Sequence, residues 1–220
     1  MSFIVVGVLV SAHAAWNPTE GGGREKRFQT TFLYPFIFVV LLTFIGPSSM
    51  ALHAYTTSWG AILDGIGINL FVCNLLAVST SRQLRLSSLS YLFILSVFGG
   101  FSISTEFWVS SGDQQYVFGT WIILVLLLEV PSFTGMERRE TRPQDWGWFL
   151  AAFIVLAIGF GFWYPSVNGT GSFCVSGAHA TWHTLCSLTA GMLYLYYQSE
   201  GGGEQKYLIL AEEEDDVYVV

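Results

Sequence analysis

The sequence predicts an all-α fold of the polytopic membrane kind. It consists of seven transmembrane helices in one bundle, with the N-terminus on the outer or lumenal side and the C-terminus in the cytoplasm. Three observations lead to this expectation. The 220 residues are 52% hydrophobic and only 11% charged, whereas a soluble domain carries about 25% charged residues. The apolar residues gather in seven runs separated by polar segments. All nine lysines and arginines fall in alternate connections or the tail, an asymmetry the positive-inside rule reads as orientation. The net charge of −7 is no measure of the surface, because much of it sits in the tail run from Glu212 to Asp216. Nothing basic suggests nucleic acid.

The first apolar run, Phe3 to Trp16, fits either a short first span or the core of a signal peptide ending near Ala12-His13-Ala14. No basic residue precedes it, which favours the span. A polar loop with Arg24, Lys26 and Arg27 leads to a second span, Phe32 to Ala54. After a turn from Tyr55 to Gly60, the third span covers Ala61 to Val78. A loop from Ser79 to Ser88 carries Arg82 and Arg85, and the fourth span runs from Leu89 to Ser104. Glu106 to Gln115 reads as a polar connection with solvated Glu106 and Asp113, and Tyr116 to Val130 as the fifth span. Glu129, near the end of that span, reads as an interfacial residue. Arg138, Arg139 and Arg142 precede the sixth span, Trp146 to Trp163.

A turn-rich loop, Pro165 to Gly171, contains the acceptor tripeptide Asn168-Gly169-Thr170 for N-glycosylation. The seventh span runs from Phe173 to Tyr197. Residues 1–198 form the membrane domain and residues 199–220 an acidic cytoplasmic tail, too polar to order itself. Tyr207-Leu208-Ile209-Leu210 in that tail also has the form of a sorting signal. Trp146, Trp148, Trp163, Tyr164, Tyr194, Tyr196 and Tyr197 stand at span edges, where aromatic belts form. Cys73, Cys174 and Cys186 are too widely spaced for a disulfide framework or a thiolate metal site and read as buried thiols.

Ionisable residues inside such spans cost on the order of 2.5–3.5 kcal/mol on insertion scales and mark function by default. Ser49 and His53 are four apart at the outer end of the second span. Asp64 opens the third, and His179 and His183 lie in the first turns of the seventh. The charge pattern therefore brings all five to a similar depth near the outer face. His179 and His183, at i and i+4, project from one helical face and can grip one ion. With His53 as third ligand they make a catalytic Zn2+ site with an open fourth position, where water is acidified to a pKa near 7. Asp64 would hold or deprotonate that water, and Ser49 would donate a hydrogen bond to a carbonyl or oxyanion. This is metal-assisted hydrolysis of an amide or ester whose acyl chain arrives from the bilayer. The histidine motifs also allow a structural pair, or a haem held by one histidine from each helix; the haem leaves Asp64 unused.

Taken together, Ser49-x-x-x-His53, Asp64 eleven residues later, and His179-x-x-x-His183 in the last span resemble the alkaline ceramidase family. They also match its wider group of membrane hydrolases, which includes adiponectin-receptor-like and Per1-type proteins. Phe162-Trp163 ahead of Phe173-Cys174, then His179-Ala180-Thr181-Trp182-His183 with Leu185 and Gly191, is similar to the ceramidase seventh-helix region. The resemblance covers about Phe38 to Tyr197. It implies a seven-helix bundle with zinc on His53, His179 and His183. It also implies water held by Asp64, Ser49 lining the site, and hydrolysis of the N-acyl amide of ceramide-like lipids. The family's calcium site, on an acidic segment ahead of the first helix, is not carried over, because residues 1–16 are apolar here. The alternatives are a hydrolase of another acyl lipid in the same group, or a receptor-like protein with a structural zinc. The expected partner is a lipid of the bilayer, in the endoplasmic reticulum, Golgi or plasma membrane, with no nucleic acid and no obligate protein partner.

Overall fold

The computed structural model describes residues 2–16, 33–55, 58–109, 113–134, 145–168 and 177–200. Among the described residues there are seven helices: α1 (Ser2–Trp16), α2 (Leu33–Tyr55), α3 (Ser58–Gln83), α4 (Ser88–Trp108), α5 (Gln114–Thr134), α6 (Trp146–Asn168) and α7 (Gly177–Gln198). No strand occurs among the described residues. Among the described residues, five stretches are long and apolar enough to cross a membrane: Leu33–Leu52, Ser58–Gln83, Ser88–Trp108, Gln114–Pro131 and Trp146–Tyr164. The apolar part of α1 is shorter, Ser2–His13. The histidines, serines and threonines of α7 keep it out of that group.

The surface fits an apolar surrounding. On α4, Leu89, Phe93, Val97 and Phe101 recur every fourth residue and are all exposed, a single greasy stripe that water would not favour. Leu150, Phe153, Ile154 and Ile158 do the same on α6. These features are compatible with an integral membrane protein.

The centre of the bundle is α3, which packs against α2, α4 and α5. On the other side, α7 packs against α6 and α1, and α1 also meets α2. Polar side chains recur along α3, each reaching a neighbouring helix. Asn69 Nδ2 donates to Glu106 Oε1 of α4 at 2.6 Å. Asn74 Oδ1 accepts from Tyr91 of α4 at 2.5 Å. The Ser79 hydroxyl donates to Glu129 Oε1 of α5 at 2.5 Å and lies 2.9 Å from the Tyr197 hydroxyl of α7. Arg82 forms an ion pair with Glu129. Hydrocarbon offers no hydrophobic drive between helices, so such bonds and close packing must hold them.

Several expectations give way here. The loop expected over Ser79 to Ser88 is shorter, because α3 continues to Gln83 and closes through Leu86 N–H to Ser81 C=O at 2.9 Å, with Arg85 in the left-handed region at φ 53°. Arg82 is therefore a buried residue of the bundle and not a loop cation, and Arg85 is the exposed charge of that connection. Glu129 is not interfacial. It is 1% exposed and accepts from Ser79, Arg82 and Tyr196, the last at 2.7 Å. Tyr194, Tyr196 and Tyr197 are buried rather than placed in a belt. They provide hydroxyls to Glu129, Ser79 and His13, which an edge position cannot.

Glu106 is not in a polar connection, because α4 extends to Trp108 and carries Glu106 inward at 5% exposure. Asp113 is exposed, as expected. α6 continues through Pro165 to Asn168, so the turn starts later than the Pro165 expectation. Gly169 and Thr170 of the glycosylation tripeptide lie outside the described residues. So do Cys174 and the tail from Gly201, with its acidic run and Tyr207-Leu210. Cys73 is buried and Cys186 half-buried, both as free thiols. The first residues assigned to the tail pack on the bundle: Glu200 is buried and reaches Arg82 Nε at 3.9 Å.

Arg82 and Glu129 are both almost fully buried, so removing one strands the other. Glu129→Leu is expected to cost about 3–5 kcal/mol, the range for breaking a buried pair from one side. Unfolding in detergent reads this directly, with the exposed Phe93→Leu as a control that changes little. Equal effects for the two variants would refute the role given to the Arg82 cluster.

Candidate metal centre

The site forms at the end of the bundle where α2 finishes and α3 and α7 begin. Two glycines of α3 bring that helix onto α2. A side chain at Gly60 would lie 2.7 Å from the Ala51 carbonyl oxygen and from Leu52 Cα, and one at Gly67 would lie 2.6 Å from Ser48 Oγ. Small residues at a crossing are what allow backbones this close. Asp64 sits between them in sequence and so meets Ser49, with which its carboxylate interacts. Pro47 sits inside α2 one turn before the site, and Ser48 donates to Ile45 C=O at 3.0 Å.

On α7, the hydroxyls of Thr181 and Thr184 bond back to the carbonyls of Gly177 and Ala180, at 2.8 and 3.0 Å. Their polarity is therefore absorbed within the helix. His179 and His183 share a face, with ring centroids 4.7 Å apart. His183 Nε2 lies 3.0 Å from Ser49 Oγ. From the far side α1 covers His183: Phe3 meets its ring edge-on at 5.9 Å, and Ser2 donates to its carbonyl at 3.5 Å.

Asp64, His179 and His183 each offer a ligand atom, and these atoms all lie within 4.8 Å of one another. Ligands about 2.1 Å from a tetrahedral ion are about 3.4 Å apart, so a small closure or one bridging water completes the set. Asp64 Oδ1 is buried and has no hydrogen-bond partner, the situation a cation relieves. Two imidazoles and a carboxylate suit zinc, though they do not single it out. The residues present fit a metal ion.

Four of the five expected site residues, Ser49, Asp64, His179 and His183, are thus brought together. The third expected histidine ligand, His53, is in α2, and its side chain lies outside the described residues. Asp64 stands close enough to be a ligand itself, as well as the water-holder expected from sequence.

A cavity of about 230 Å³ adjoins the site and is lined by Asp64 and His179 together with Asn69, Glu106, Trp163 and Trp182. Sequence reasoning missed Asn69 and Glu106. The available signal was Asn69 itself, a polar side chain in an apolar run one and a half turns beyond Asp64. No protein-family model, curated protein or solved structure matches this chain.

Purified protein is expected to hold about one metal ion per chain, read by mass spectrometry of the metal. His179→Ala and His183→Ala should each lose most of it, whereas Ser49→Ala, which removes no ligand, should keep it. Full retention in both ligand variants would place the metal elsewhere.

Proposed function

We propose that this protein is a zinc-dependent intramembrane lipid amidase. It hydrolyses the N-acyl amide of ceramide-like sphingolipids to sphingoid base and fatty acid. The observation that carries this reading is the convergence of Asp64, His179 and His183 on one point with Ser49 against them. The resemblance of these motifs to the alkaline ceramidase group supplies the substrate class. In this reading all seven helices span the bilayer, with the N-terminus outside and the C-terminus in the cytoplasm. The site then lies near the outer or lumenal face of an endoplasmic reticulum, Golgi or plasma membrane. The substrate enters as a lipid of that bilayer.

A bound zinc ion supplies a Lewis acid that polarises the acyl carbonyl and acidifies water. His179 and His183 would hold the ion, with His53 as the third ligand that the sequence leads us to expect. Asp64 takes one proton from the attacking water, whose oxygen bonds to the carbonyl carbon. The same carboxyl then delivers that proton to the nitrogen as the C–N bond breaks, so the balance closes on one water consumed. Ser49 donates its hydroxyl to the oxygen that gains charge. The burial of Ser49, Asp64 and His183 keeps bulk water away and strengthens each of these interactions.

The 3.0 Å contact between Ser49 and His183 also suggests a serine nucleophile. That arrangement needs the carboxylate on the second ring nitrogen of the histidine, to fix its tautomer. Asp64 engages Ser49 instead, and His179 would have no role.

With ceramide in detergent, the protein should release sphingoid base, detected by mass spectrometry. Asp64→Asn should lower the rate by at least about 100-fold, the lower range for loss of a general base. Metal-depleted protein that cleaves at the full rate would overturn the zinc mechanism. Turnover of glycerolipid esters with ceramide untouched would move the substrate to another acyl lipid.

A further inference from the structure

Asn69 and Glu106 are 4% and 5% exposed, and both line the cavity beside Asp64 and His179. They are bonded to each other by one hydrogen bond, Asn69 Nδ2 to Glu106 Oε1 at 2.6 Å. That bond leaves two acceptors over. Glu106 Oε2 and Asn69 Oδ1 are both buried and neither has a hydrogen-bond partner. A buried acceptor left unmade costs about 1–3 kcal/mol, more for a charged group. Two together at a cavity wall are a standing demand for donors. The arrangement is also built to hold its place. A side chain at Gly65 would collide with the whole Glu106 carboxyl group, so the missing Cβ is what lets the carboxyl lie against α3 next to Asp64.

The geometry points to Asn69 and Glu106 as a subsite that binds the hydroxyl- or amine-bearing headgroup of the lipid. It rests on the amidase reading for its place in a reaction, because it lies on the cavity that adjoins the metal centre. A headgroup with two donors satisfies both acceptors at once. The wall also carries Phe118, Phe160, Trp163 and Trp182, whose aromatic faces suit an acyl or alkyl chain. A site of buried acceptors discriminates strongly against an analogue lacking the hydroxyl, because binding that analogue leaves the acceptors unpaired. Asn69 and Glu106 are therefore specificity-determining residues, distinct from the groups that hold the metal.

The test is binding, which needs no turnover. The full-length protein in detergent is titrated with a long-chain amino-diol, its analogue lacking both hydroxyls, and a monoacylglycerol. Fluorescence of the cavity tryptophans Trp163 and Trp182 is the readout. Wild type should bind the amino-diol at least about 10-fold more tightly than the deoxy analogue. Glu106→Gln and Asn69→Leu should each bring that ratio towards one, with unfolding midpoints measured to show that the variants fold. Monoacylglycerol binding as tightly as the amino-diol would make the hydroxyls the feature recognised, with the same two residues reading them. A wild-type ratio near one, or a ratio that both folded variants preserve, would overturn the subsite. Clear discrimination in binding without any amide hydrolysis would leave the subsite standing while the amidase reading falls.

Discussion

The bundle depends on one constraint: every polar side chain of α3 that is buried among apolar helices must find its partner on another helix. A helix in hydrocarbon satisfies its own backbone but not its side chains. Asn69 answers to Glu106 and Asn74 to Tyr91, both on α4, while Ser79 and Arg82 share Glu129 of α5, with Tyr197 of α7 also against Ser79. These bonds fix which helix lies beside which and at what rotation. Apolar contacts alone would not, because one greasy face packs against another, or against lipid, with little preference. Each bond contributes only about 0.6–2 kcal/mol, so a series of them distributed along α3 is needed where one would not suffice.

The candidate metal centre inherits its geometry from that frame. Asp64 lies about 27 Å along α3 from Arg82, at 1.5 Å per residue, so the Arg82–Glu129 cluster holds the far end of the helix while the glycines set the near one. With Gly60 and Gly67 against α2, Asp64 has nowhere to go but towards Ser49. α7 is held from below by Tyr196 and Tyr197 on Glu129, and from above by α1 against His183. The two histidines are thus positioned by contacts at both ends of their own helix. The Arg82–Glu129 cluster and the candidate metal site occupy opposite ends of the same two helices.

Sequence was enough to single out Ser49, Asp64, His179 and His183, which the structure brings together, because ionisable groups in apolar runs are rare and helical spacing places the two histidines on one face. It was also enough for the all-helical class, since the apolar runs are long and the composition has few charges. It misjudged Glu106, Glu129 and Arg82 for one shared reason. Each stands near the end of an apolar run, where hydropathy falls whether the helix continues or a loop begins. What extends the helix by a turn is a partner far away in sequence: Asn69 for Glu106, and Glu129 for Arg82. The same reason hid Tyr194, Tyr196 and Tyr197, since an aromatic at a span edge looks alike whether its hydroxyl meets a headgroup or a buried carboxylate.

The buried acids Glu129, Asp64 and Glu106 differ in the hydrogen-bond capacity that each leaves unused. Glu129 is almost fully buried, yet both its oxygens are engaged by Ser79, Arg82, Tyr196 and Tyr197. It has nothing left to offer a ligand, and its role is to hold helices. Asp64 and Glu106 are buried nearly as well, but each keeps one oxygen without a donor. Bare carboxylate oxygens within a fold are too costly to persist as decoration. Two of them on the wall of one cavity, beside a pair of histidines, fit a place that receives a cation and a donor-bearing molecule.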